Sequence, residues 1–182
     1  MARIPLIERE ADVPVGGEAA WAAISQSRGR VVGPFCALLH SPELARRAAD
    51  VGAFIRFESV LPGDVRELVI LSVARAMDCH FEWAAHAPLA SKAGVADATI
   101  AAIREGRAPQ GLAPAEADIH RYVTQLLRDR RVEEATFRAV EQRFGVRGLV
   151  ELNTTAAYYA MIACTLNAFE VEPAAEADRL PR

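Results

Sequence analysis

Nowhere in this chain do apolar and polar residues alternate between flanking turn residues, whereas Ala, Leu, Glu and Arg recur at helical spacing almost throughout. Such a chain buries its core by packing helix on helix, so the expected fold class is all-α. Gly and Pro divide it. An irregular arm runs to about Gly17, a short helix around Trp21 and Ile24 ends near Gly29 to Gly33, and Pro34 reopens the chain. Ser41-Pro42 pairs a capping hydroxyl with proline at the first helical position and opens a helix through Ala53 to about Glu58. Further helices are expected over Asp64–Met77, then from an Asp78 N-cap to a kink or break just past His86, where Pro88 removes a backbone donor, with Gly94 closing the segment. The remaining segments are Asp97–Glu105, Ala115–Arg128, Val132–Phe144 with a break at Gly145 or Gly148, and Leu149–Phe169. The resulting organisation is an arm at 1–17, one helical domain at 18–172 with its core at about 41–122, and a proline-bounded tail at 173–182 that frays or lies across a partner.

At 182 residues the chain is long enough for one sizeable core. Hydrophobic residues make up 52% of it, yet charges interrupt every apolar run before the roughly 18 residues of a membrane span. The N-terminal stretch carries charge where a signal core would be apolar, which points to a cytoplasmic location. Cys36, Cys79 and Cys164 resemble neither a disulfide framework nor a zinc ribbon, so reduced thiols are expected, with Cys36 and Cys164 in the core. Net charge is −3 and the basic residues are scattered, which argues against a nucleic-acid partner. Lys92, the only lysine, has nothing around it to recommend Schiff-base chemistry. Neither a glycine-rich phosphate loop nor a Gly-x-Ser-x-Gly elbow occurs, and no cofactor is expected.

The chemistry concentrates in Asp78-Cys79-His80-Phe81-Glu82-Trp83-Ala84-Ala85-His86. On a helix Glu82 falls about 60° and His86 about 20° from Cys79, so thiol, carboxylate and imidazole share one stripe. Cys79 and His86 are separated by a rise of roughly 10 Å, which makes Glu82 the expected middle of a proton relay. A cysteine in a helix's first turn also has its thiolate favoured by the helix dipole. Glu67 adds a carboxylate to an otherwise apolar helix, with a salt bridge to Arg66 or Arg75 as its structural alternative. Trp83 is a candidate pocket roof and Tyr158 and Tyr159 candidate substrate-orienting groups, although core packing explains each as well. Cys79, Glu82, His86 and His80 are all metal-ligand types, but Cys79 lies two turns from His86 and no second cluster supports them, so no metal is expected.

Glu67, Cys79 and His86, spaced by 12 and 7 residues inside Glu67-Leu-Val-Ile-Leu71 and Cys79-His-Phe-Glu-Trp-Ala-Ala-His86-Ala-Pro-Leu-Ala, resemble the carboxymuconolactone decarboxylase superfamily, which includes the alkylhydroperoxidase D-like proteins. The resemblance covers about Ser41 to Tyr122, and the apolar helix at Leu149–Phe169 fits more loosely. It implies an all-α fold assembled as homo-oligomers, with the active site near subunit contacts. In the peroxidase branch a glutamate precedes Cys-x-x-Cys-x-x-x-His, and glutamate and histidine relay protons to a redox-active pair of thiols. Carry-over puts Glu67, Cys79 and His86 in those roles, while Glu82 occupies the position of the second cysteine. An oxidised Cys79 would then be resolved by an external thiol reductant, or by Cys36 or Cys164 brought close.

Three functions compete on these grounds. One is a thiol peroxidase-like enzyme acting on a peroxide through Cys79 with a Glu/His relay. The second is a cofactor-free decarboxylase, lyase or isomerase of a small carboxylated lactone in aromatic catabolism, with Glu82 and His86 as acid and base. In the third, the motif is inherited framework in a helical oligomer that binds a ligand or partner.

Overall fold

The computed structural model describes residues 2–108 and 110–181; Met1, Pro109 and Arg182, at the ends of the expected arm and tail and in the connection before Pro114, lie outside the described residues. Among the described residues the helices are α1 (Glu18–Arg28), α2 (Pro34–Leu38), α3 (Pro42–Phe57), α4 (Gly63–Ala76), α5 (His80–Ala93), α6 (Asp97–Arg104), α7 (Pro114–Asp129) and α8 (Glu134–Ala168), and there is no strand. The fold is all-α. The chain forms two compact units: one holds residues up to Glu58 with Cys164–Glu172, the other Ser59–Ala163 with the segment from Pro173.

In the first unit α3 packs against α1 and α2. Its inner positions are Ala45, Ala48, Ala49 and Gly52, small enough for neighbouring helices to approach closely, and Ile24, Phe35 and Leu39 fill the space opposite. The arm is ordered: Glu10–Asp12 forms a 3-10 turn, and the Ile7 N–H donates to the Cys36 carbonyl at 2.9 Å. Gly17 precedes α1 because a Cβ there would come within 2.6 Å of Val13 and 2.7 Å of Pro42. Cys36 is buried as expected, and burial, followed by the nearby Glu8 charge, pushes its thiol up to about 11. Cys164 contradicts the expectation of a core thiol, since it lies on an exposed face of α8.

The second unit is built around α4, which packs against α5, α6 and α7 and is buried from Glu67 through Ala74. A helix apolar on all sides has no solvated face to present, so its neighbours must surround it. Ser72, on the far side of α4, donates to the Leu68 carbonyl at 2.8 Å and meets His120 Nδ1 of α7 at 3.0 Å. The hydroxyl has one proton, already committed to Leu68, so His120 carries its own on Nδ1. Buried Glu151 on α8 accepts from the Ser59 hydroxyl and the Val60 N–H, both at 2.7 Å, and from Arg147 at 2.9 Å, tying α8 to the entry of α4. Burial pushes this carboxyl up, but those three donors outweigh it and hold it below the ordinary range.

Two sequence expectations fail in this unit. α5 continues through Pro88 to Ala93 instead of breaking after His86, and Gly94 ends it in the left-handed region at φ 101°. Proline withholds one hydrogen bond there, and the contacts of α5 with α4 and α6 outweigh that loss. The tail does not fray: Leu180 is buried, and Asp178 accepts from the Trp83 indole N–H at 3.0 Å and from Arg104 at 2.8 Å.

Candidate active site

α4 and α5 are joined so tightly that their side chains meet at a fixed register. Met77 ends α4, Asp78 takes the left-handed conformation at φ 46°, and Cys79 becomes the N-cap of α5, its N–H donating to the Ala74 carbonyl at 2.8 Å. Asp78 is therefore the connector and not the cap. Aspartate is among the few residues that tolerate this conformation, and its carboxylate pairs back with Arg75 of α4. Cys79 still sits at the positive end of the α5 dipole, one position earlier than expected.

The turn delivers Glu67 of α4 to the face of α5 that carries Glu82 and His86. The His86 Nδ1 lies 2.7 Å from Glu67 Oε2, and its Nε2 lies 3.5 Å from Glu82 Oε2. Imidazole is thus the middle of the chain, flanked by a carboxylate on each nitrogen, where the sequence placed Glu82 in the middle. Glu67 is 5%, Glu82 5% and His86 7% exposed, so the cluster is buried. Low local dielectric makes each proton position in it consequential. The second oxygen of Glu67, Oε1, lies 3.6 Å from Arg66 Nε.

Tyr159 presents its ring edge-on to His86, with centroids 5.2 Å apart at 85°, and Tyr158 packs edge-on to Tyr159 at 5.3 Å. Of the two, Tyr159 belongs to the cluster and Tyr158 backs it. Trp83 is fully buried, with its indole turned to Asp178. Cys79 is also fully buried. Asp178 had no sequence signal, because its partners lie 95 and 74 residues away. Among the described residues no three His, Cys, Asp or Glu side chains are arranged to hold a metal ion, and no helix is long and apolar enough to cross a membrane.

Comparison with known proteins bears on this geometry directly. Residues 42–125, which contain Glu67, Cys79, Glu82 and His86, match the sequence profile of the Carboxymuconolactone decarboxylase family. The chain resembles that family over this segment, a little under half of its length. No curated protein matches the sequence. Among solved structures, it resembles the alkylhydroperoxidase AhpD core of an uncharacterized peroxidase-related protein from Ralstonia eutropha JMP134, at 16% identity over 96% of this chain and 93% of that one, with a TM-score of 0.78. An uncharacterized peroxidase-related protein from Silicibacter sp. TM1040 follows at 17% identity, 96% and 95% coverage and a TM-score of 0.74. The apo debrominase Bmp8 is similar at 13% identity, 94% and 92% coverage and a TM-score of 0.74. At such identities the likeness establishes the carboxymuconolactone decarboxylase-type fold and leaves each neighbour's activity its own.

Proposed function

We propose that this chain is a thiol-dependent enzyme of the carboxymuconolactone decarboxylase family that reduces a small peroxide, with Cys79 as nucleophile and Glu82, His86 and Glu67 as its proton relay. The observation that carries the reading is the convergence of two carboxylates on opposite nitrogens of one buried imidazole, on the helix that Cys79 caps. The Cys79 thiolate attacks one peroxide oxygen and the O–O bond breaks. The departing alkoxide takes a proton from the Glu82–His86 end, leaving a sulfenic acid and an alcohol. Because Glu82 stands where a second thiol would be, an external thiol condenses with the sulfenic acid and releases water. A second thiol then displaces Cys79 and leaves as disulfide. Cys36, buried with a raised thiol, is a poor resolving group. A homo-oligomeric assembly in the cytoplasm, where external thiols are abundant, belongs to the same proposal.

The test is peroxide consumption with added thiol. Cys79→Ser is expected to abolish it and His86→Ala to reduce it severely; equal rates in the Cys79→Ser variant would reject the thiol mechanism. A second reading, proton-transfer catalysis on a small carboxylated lactone, has one observation in its favour: the two carboxylates flank the imidazole with no sulfur between them. Under that reading Cys79→Ser is nearly silent and His86→Ala severe.

A further inference from the structure

The two carboxylates of the cluster are not equivalent, and the difference lies in Arg66. Adjacent residues on a helix diverge by about 100°, so Arg66 and Glu67 do not face one another by default. Arg66 folds back toward the start of α4, over Gly63, where a Cβ would stand 3.6 Å from its terminal nitrogen. This brings Arg66 Nε to 3.6 Å from Glu67 Oε1 while Oε2 of the same carboxylate lies 2.7 Å from His86 Nδ1. Arg66 Nε is shielded from solvent and makes no hydrogen bond, so the neighbouring carboxylate supplies its electrostatic compensation. The Glu67 carboxylate is thus divided between a guanidinium at Oε1 and an imidazole at Oε2.

Resting on the reading of this cluster as a proton relay, we propose that Arg66 is a positioning residue that anchors Glu67 Oε1 so that Oε2 is presented to His86 Nδ1. His86 then keeps its proton on Nδ1, and the working end of the relay is Nε2 with Glu82. The groups facing Glu67 are Arg66 from α4 and His86 from α5; those facing His86 are Glu67, Glu82 and the Tyr159 ring from α8. The division of labour assigns Glu67 to fixing the ring's tautomer and Glu82 to exchanging protons with the reacting groups.

The experiment is imidazole nitrogen NMR of the full chain, with the His86 signals assigned by their loss in His86→Gln. The neutral wild-type ring is expected to carry its proton on Nδ1, Arg66→Gln to convert a measurable fraction of it to the Nε2 tautomer, and Arg66→Lys to keep most of the Nδ1 form. An unchanged tautomer ratio in Arg66→Gln, or a neutral wild-type ring protonated on Nε2, overturns the proposal. If Arg66→Gln does not fold, the wild-type tautomer and Arg66→Lys decide it. The tautomer ratio does not read turnover, so failure of the peroxidase reading through an active Cys79→Ser variant is a separate result.

Discussion

His86 is held between two carboxylates whose duties differ. Glu67 makes the short contact, and Glu82 stands farther off at 3.5 Å on the same helix, three residues beyond Cys79. Under the proposed chemistry Glu82→Gln lowers turnover by about two to four orders of magnitude, as loss of a general acid–base group does, with the helical circular-dichroism signal unchanged. Glu67→Gln should shift the pH profile as well as its height, because an amide can also support the other ring tautomer; steady-state kinetics from acid to alkaline pH checks both. His120 supports a prediction independent of function. Burial, then the Arg121 charge, lowers its imidazole to about 4. The unfolded chain, with a value near 6.5, therefore binds more protons than the folded one between these limits. This contribution to stability is intact above about pH 6.5 and is lost progressively toward pH 4, amounting to roughly 3 kcal/mol across the window. Denaturant unfolding of His120→Gln at pH 4.5 and pH 7 should show a smaller pH dependence than the wild type.

At the scale of elements, helix positions were largely legible because each is bounded by residues with a local mechanism. Ser41-Pro42, Gly29, Gly94 and Pro114 mark ends that the structure places at or within a residue of those positions. Pro88 and Asp78 were misread for a shared reason: local chemistry was judged without the neighbouring helix. The chain turns at Asp78 because α5 packs on α4, and that packing also carries α5 past its proline. Gly145 is the clearest local determinant in α8, which it breaks into two helical stretches where the sequence expected a break, at φ 67° and ψ 175°, a region essentially closed to other residues. Gly145→Ala is expected to cost about 1–3 kcal/mol, although a Cβ there meets nothing within 4 Å. Thermal and denaturant unfolding measure it, and a neutral result would mean the backbone relaxes into a continuous helix.

At the scale of the whole chain, the least foreseeable contact is the one made by the tail. Asp178 joins the Trp83 indole to the Arg104 guanidinium, and burial, which raises its carboxyl, is outweighed by those donors so that it lies below the ordinary range. Asp178→Ala leaves a buried indole N–H without its partner, and a loss of about 1–3 kcal/mol is expected from the unpaired donor. The check is a lowered Tm together with a red shift in tryptophan emission, which a purely surface role for the tail would not produce.

Spacing and residue type determined, without coordinates, that this chain is helical, where most helices begin and end, the family it resembles, and that Glu82 and His86 share one helix with Cys79 at its start. Those are consequences of periodicity, caps and motif spacing, all of which act over a few residues. Tertiary structure alone decided that imidazole sits between the carboxylates, that Arg66 folds onto the free oxygen of Glu67, that Cys164 faces out and that Asp178 closes on Trp83. Each depends on which surfaces helices bury against one another, and one sequence without neighbours in space does not encode that choice in any short pattern.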